Sequence, residues 1–135
     1  VAQRFRQIKG LYYEESWSPT RAAASVRTAL ATGAMMEMRI CHFDLDQAYL
    51  LANIDTEMYV DLLEEYREFP SALGNMNKAI YGLVQAGRCW KMKPTDDLNT
   101  LGFGQSHADF CLFRKFDTRE LVCILVVHVD DLLTL

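Results

Sequence analysis

Leu121-Val122-Cys123-Ile124-Leu125-Val126-Val127-His128-Val129-Asp130-Asp131-Leu132-Leu133 is the stretch from which the rest of the chain is best read. Leu121 to Val129 is apolar at odd and even positions alike, so as a strand it has no solvent face and must run through the middle of a sheet, covered on both sides. It stops at two adjacent acids. A run that is greasy throughout and then doubly charged points to a central strand whose end presents carboxylates.

Working outward, Phe110 to Phe116 is predicted as the partner strand, joined to the first by the polar turn Asp117 to Glu120. Gln85 to Leu101 reads as a helix with Trp90, Leu98 and Leu101 for packing, Gly102 as its stop, and Pro94 kinking or interrupting it. Glu57 to Leu63 and Met76 to Tyr81 are strand candidates separated by the loop signals Pro70 and Gly74. Arg39 to Leu45 alternates, with Ile40, His42 and Asp44 on one face and Cys41, Phe43 and Leu45 on the other. Before it, Thr20 to about Met38 reads as a helix with Ser18 as cap, Pro19 in the first turn and Gly33 fraying or ending it. This order predicts an α+β fold, a mostly antiparallel sheet with helices on one face.

The bulk numbers set limits. Half the residues are apolar and a quarter charged, which suits a globular domain. A length of 135 residues allows one domain, either a small domain or a piece of a larger protein. The chain begins at Val1 and stops at Leu135 in an apolar run that has only just resumed, so a piece of a longer chain is expected. The apolar run Leu121 to Val127 falls far below the roughly 20 residues of a membrane span, and no membrane partner is expected. Cys41, Cys89, Cys111 and Cys123 form no C-x-x-C pair and read as reduced, mostly buried, intracellular thiols. His107, Asp109 and Cys111 have donor chemistry for a metal, but ordinary turn and strand roles are the expectation and zinc is not predicted. A net charge of −4 does not by itself suggest a nucleic-acid partner. Basic residues gather only locally, at Arg4, Arg6 and Lys9, at Arg88, Lys91 and Lys93, and at Arg114, Lys115 and Arg119.

The residues that carry chemistry are Asp44 near the end of one strand and Asp130-Asp131 at the end of another. If those strands are neighbours, three carboxylates converge at one sheet edge. Mg²⁺ takes hard oxygen ligands, usually one or two carboxylates completed by phosphates and water. Two such ions about 3.5–4 Å apart serve nucleotidyl transfer. The ordinary alternative stays open, in which the acid pair is a solvated turn and Asp44 pairs with a basic neighbour. Asp46 is a weaker ligand candidate.

Six strings, in order, resemble the Ty1/copia reverse transcriptases. Gly10-Leu11-Tyr12-Tyr13-Glu14-Glu15-Ser16-Trp17-Ser18-Pro19 is similar to the family's Gly-x-x-Tyr-Glu-Glu-Thr-Phe-Ser-Pro. Phe43-Asp44-Leu45-Asp46-Gln47-Ala48-Tyr49-Leu50 resembles Met-Asp-Val-Lys-Thr-Ala-Phe-Leu, and Glu57-Met58-Tyr59-Val60 resembles Glu-Ile-Tyr-Met. Ile80-Tyr81-Gly82-Leu83-Val84-Gln85-Ala86-Gly87-Arg88-Cys89-Trp90 matches Leu-Tyr-Gly-Leu-Lys-Gln-Ala-Pro-Arg-x-Trp. Leu101-Gly102-Phe103 through Cys111-Leu112-Phe113 continues the series, and His128-Val129-Asp130-Asp131 resembles the Tyr-Val-Asp-Asp box.

The resemblance implies a reverse-transcriptase palm, ferredoxin-like, with part of the fingers. Residues 1–135 would then be a single incomplete domain without thumb or RNase H. It also implies two Mg²⁺ ions, held by Asp44 and Asp130 with support from Asp131, and a nucleotide site formed by Tyr49, Tyr81 and Gly82. The implied partners are an RNA or DNA template with its primer, deoxynucleoside triphosphates, and the integrase and RNase H regions of the polyprotein. The implied location is intracellular, in a cytoplasmic particle or the nucleus. Departures are local: Ala2-Gln3-Arg4-Phe5 stands for Ala-Lys-Gly-Phe, Val84 for Lys, Gly87 for Pro and His128 for Tyr. They keep a second reading open, a catalytically inactive relic that retains the fold and at most binds nucleic acid. A phospho-acceptor signalling domain also gathers acids around Mg²⁺, but it carries its acid pair on an early strand and a Lys on a late one, and neither holds here.

Overall fold

The computed structural model describes residues 4–135; Ala2 and Gln3 of the first segment compared above lie outside them. Five strands form one antiparallel sheet in the order β1-β7-β6-β5-β4, namely β1 (Cys41–Asp44), β4 (Gly104–Gln105), β5 (Leu112–Asp117), β6 (Glu120–His128) and β7 (Asp131–Thr134). A separate ribbon pairs β2 (Tyr59–Asp61) with β3 (Leu73–Asn75). Three α-helices accompany them: α1 (Ala23–Met35), α2 (Ala48–Leu51) and α3 (Ala86–Thr100).

The doubly apolar strand is β6, and it is central, between β5 and β7. Its even residues Ile124 and Val126 are buried with Ala29, while Val26 and Leu30 of α1 pack beside them. Its odd residues Leu125 and Val127 are buried with Phe113, against Leu98 of α3. Each such side chain contributes about 1.5–3 kcal/mol by leaving water. The expectation of helices on one face therefore fails, because a strand apolar on both faces needs two covers and α1 and α3 supply one each.

Other boundaries shift for local reasons. Met76 to Tyr81 is not a strand: its contacts with Ala52–Ile54 are a single bridge, Asn53 to Lys78, and two flanking backbone bonds. Ser18 does not cap α1, whose N-cap is Ala22 in extended conformation with no cap from its own side chain. The buried carboxylate of Asp109 accepts from the Ala22 N–H at 2.9 Å and does that work from across the fold. Gly33 does not end α1; it is buried inside the helix, where a Cβ would run into the side chain of Leu135. α3 runs through Pro94 as one helix. A third cluster, with Ala48, Ala52, Ala79, Ala86 and Trp90 buried together, joins α2 and α3 to the loop that precedes α3.

Candidate active site at the tip of the central hairpin

β6 and β7 are joined by a hairpin so tight that Val129 takes φ 50°, the left-handed region that a β-branched residue avoids. Such a conformation costs of order 1–3 kcal/mol and persists only when neighbours over-determine it. Two bonds do so here. The Trp90 indole N–H donates to the Val129 carbonyl at 2.9 Å, and the Leu45 N–H donates to the Asp130 carbonyl at 2.8 Å. The second bond ties the hairpin tip to the end of β1, where Asp44 sits opposite Asp131 in register.

Strand tips remote in sequence thus lie side by side, and Asp44, Asp130 and Asp131 all belong to this corner. Their side chains do not share one environment. The hydroxyl of Tyr81 donates to Asp130 Oδ2 at 3.0 Å, while Asp130 Oδ1 is shielded from solvent and has no hydrogen-bond partner. Asp131 faces the other way, its Oδ1 2.9 Å from His42 Nε2, and both side chains are more than half exposed. Arg21, His42, His128 and Asp131 line a small polar cavity on that side, with Val26, Val126 and Leu133 as its apolar wall. Among the described residues, no three His, Cys, Asp or Glu side chains stand together as a metal-holding group.

The Tyr49 and Tyr81 rings lie 4.5 Å apart between centroids, tilted by 59°. Burial first, then the charge of Asp130, raises the Tyr49 phenol above its ordinary value. Tyr81 is raised by desolvation, by its bond to Asp130 and by the nearby charges of Asp130, Tyr49 and Asp44. Both acids at the strand tips are therefore felt at one phenol. Gly82 follows with φ 95°, which only glycine adopts without strain. Asp46 lies in the turn between β1 and α2.

Four of the basic groups are engaged within the fold. Arg88 bonds Glu15 and Asp55, Lys91 sits over the rings of Trp17 and Phe110, Lys93 bonds Asp97, and Lys115 lies over Phe103. Asp109 is likewise engaged: burial would raise it, but bonds from Ser25 and from the Ala22 and Cys111 amides outweigh that and hold the carboxyl below its ordinary value. Burial pushes the neighbouring Cys111 thiol up to about 11, with the Asp109 charge adding to it. The four cysteines are free thiols, and Cys89 and Cys111 are buried. Sequence reading missed three functional parts: the indole that holds the strained turn, the His42–Asp131 bond, and the contacts of Gln7. Only the His42 alternation carried a signal.

Sheet and acids together define a mixed α+β domain with an antiparallel sheet and a carboxylate-bearing hairpin. The family model for reverse transcriptase (RNA-dependent DNA polymerase) matches residues 1–135. The chain is 30% identical over 135 residues to the retrovirus-related Pol polyprotein from transposon TNT 1-94 of Nicotiana tabacum, and 33% and 31% identical to those from transposons RE2 and RE1 of Arabidopsis thaliana. Each alignment covers 98% of this chain, which spans about a tenth of the length of those relatives. No solved structure matches. The chain belongs to the reverse transcriptase family, as a Ty1/copia-type domain. No helix among the described residues is long and apolar enough to cross a membrane.

Proposed function

We propose that residues 1–135 are the palm and part of the fingers of a polymerase that extends a primer 3′-hydroxyl with deoxynucleotides along an RNA or DNA template. In this reading Asp44 and Asp130 hold two Mg²⁺ ions, with Asp131 supporting them at the same corner. The observation that carries it is the Asp130 carboxylate, with one shielded oxygen left without a partner, on a hairpin tip whose Asp130 carbonyl is bonded by the amide of Leu45, the residue after Asp44. An unpaired buried carboxylate oxygen is costly, and a cation completed by phosphates and water offsets that cost. The donor set of two carboxylates fits such an ion. Bound there, the ions would neutralise charge on the phosphate and activate the attacking hydroxyl.

The chain's own residues do the rest. Tyr81 fixes the Asp130 rotamer through its hydroxyl, Tyr49 packs against Tyr81 as a floor for the sugar, and Gly82 lets a nucleotide approach the backbone. His42 keeps Asp131 oriented at the back of the same corner. Template, primer and the integrase and RNase H regions of a polyprotein are the partners of this reading. Because Arg88, Lys91, Lys93 and Lys115 are engaged within the fold, other parts of a longer protein would supply much of the phosphate contact.

Mg²⁺-dependent primer extension by the protein at its natural length, beside Asp130→Asn, tests this. Extension by the wild type that the variant lacks is the expected result, and equal extension by both would sink the assignment. A second reading, a fold that no longer catalyses, is favoured by the engagement of Asp131 with His42 and by the lack of a three-acid group among the described residues. The same experiment separates the two.

A further inference from the structure

Gln85 is completely buried at the N-terminus of α3, an unusual place for a carboxamide that no solvent reaches. Burying an amide costs roughly 1–3 kcal/mol on protein scales unless its hydrogen bonds are met, so its partners indicate what it is for. Its Oε1 accepts from Gln7 Nε2 at 2.9 Å, and its Nε2 donates to the Tyr12 carbonyl at 3.1 Å. Gln7 closes the ring from its other end, where its Oε1 accepts from the Val84 N–H at 2.7 Å. Two glutamines far apart in the chain interlock, and both hold the segment between Gly82 and α3.

The clasp continues along the N-terminal strap. Ser18 Oγ donates to the Gly87 carbonyl at 3.1 Å, and Arg88 bridges Glu15 and Asp55. Glycine at 87 is what lets the strap come so close, since a Cβ there would stand 3.1 Å from Ser18 Cβ. The strap's side-chain hydrogen bonds reach Val84, Gln85, Gly87 and Arg88, all within seven residues of Tyr81, whose hydroxyl is the hydrogen-bond partner of the Asp130 side chain.

We infer that Gln85, keyed by Gln7, is a positioning residue: the interlocked carboxamides of the residue 7–18 strap and the Val84–Arg88 segment set where Tyr81 and Gly82 stand relative to Asp130. This rests on the proposed polymerase reading for its consequence, since the turn so placed is the one assigned to the incoming nucleotide. Gln7 and Gln85 touch neither substrate nor metal and act through Tyr81. Besides the clasp, the Tyr81–Gly82 turn is held by the Tyr81 hydroxyl on Asp130, by the Tyr49 ring, by the burial of Leu83 and by the local bond from Leu83 N–H to the Ile80 carbonyl at 3.3 Å. The clasp is what ties it to the N-terminal strap.

The test labels the chain with tyrosine carrying ¹³C at Cζ and assigns the Tyr81 signal with Tyr81→Phe. Asp130→Asn marks where that signal falls when its carboxylate partner is gone. In Gln7→Ala the Tyr81 signal should cover at least half the distance to that position, while the exposed Tyr59 in β2 and Tyr66 in the connection from β2 to β3 stay put. Gln85→Leu should move it at least as far, and should it fail to fold, Gln7→Ala still decides, because Gln7 is only half-buried. In primer extension at natural length, Gln7→Ala should raise the nucleotide KM about tenfold with kcat within about twofold, the split expected when nucleotide binding at the turn and not the chemical step is weakened. An unmoved Tyr81 signal, or a fall in kcat with thermal stability while KM stays unchanged, overturns the inference. Asp130→Asn extending primers as well as the wild type defeats the polymerase reading alone, because the Tyr81 signal reports positioning without any turnover.

Discussion

The two acids at the hairpin tip are neighbours in sequence and opposites in environment. Asp130 is turned toward the α2 and α3 side, touches Tyr81 and keeps one shielded oxygen unpaired; Asp131 is turned toward the α1 side, half in water, and bonded to His42. A strand alternates its faces residue by residue, so an acid pair at its end sends one carboxylate to each side. One of the pair is left needing a cation, and the other already has a partner. The motif reads as a unit, but its members cannot be equivalent.

The sharpest way to break this comparison is to remove each charge in turn. Asp130→Asn should cost at least about 100-fold in primer extension, since each tenfold is 1.36 kcal/mol and a metal's charge stabilisation is worth several. Asp131→Asn should cost about tenfold or less, because it loses a solvated bond and no proposed direct metal contact. Equal losses, measured as single-turnover rates at saturating Mg²⁺, would mean that the two environments do not divide the labour.

The next comparison is between the two covers of β6. Ile124→Ala on the α1 side and Leu125→Ala on the α3 side should each destabilise by about 2–5 kcal/mol, the range for emptying a buried aliphatic site. Val122→Ala on the same strand is exposed and should cost under about 0.5 kcal/mol. Urea unfolding of the three variants reads this directly. A cost below about 1 kcal/mol at residue 124 or 125 would show that its cover is missing.

Much of this was legible beforehand because it rests on periodicity. The apolar run from Leu121, its central place, a strand within Arg39 to Leu45 that carries Asp44 and the helix after Gln85 all follow from local pattern and burial, whereas that strand's place beside the hairpin, through β7, does not. The single-face placement of helices was an error of consistency, since that same run already demanded two covers. Other features depend on contacts that pattern does not carry. The third strand, Leu73–Asn75, contains a glycine and lies next to the expected one, because Met76 to Tyr81 meets a partner at one residue only. The cap of α1 comes from Asp109, 87 residues away, and no rule about adjacent Ser or Pro would find it. Gln7 looked unremarkable because its role exists only once Gln85 is buried beneath it.

Asp109 tests the tie between α1 and the start of β5 through pH. Its folded value is lowered, so it contributes stability above the ordinary carboxylate value near 4, about 3.9, and loses that contribution as pH falls through the lower folded value. Asp109→Asn turns one acceptor into a donor facing amide N–H groups and should cost about 1–2 kcal/mol at pH 6. The gap between variant and wild type should narrow as the pH drops from 5 toward 3. A gap that stays constant over that range would mean the carboxylate's charge is not what holds the helix end.

The smallest effect is expected at Gly33, and it is informative because two terms oppose. Alanine in a helix interior is favoured over glycine by about 0.8–1.0 kcal/mol, yet the new methyl meets the Leu135 side chain, and overpacking costs about 1–3 kcal/mol. Leu135 gives way only in part, because it is buried and its backbone exchanges two bonds with Ile124 at 2.9 Å. Gly33→Ala should therefore lose about 1 kcal/mol. In a Leu135→Ala background the crowding is gone and the same substitution should become stabilising by up to about 1 kcal/mol, a sign change that a double-mutant cycle measures as coupling. If Gly33→Ala stabilises the chain with Leu135 in place, α1 does not approach the end of β7 closely, and the α1 side of the sheet is the looser of the two.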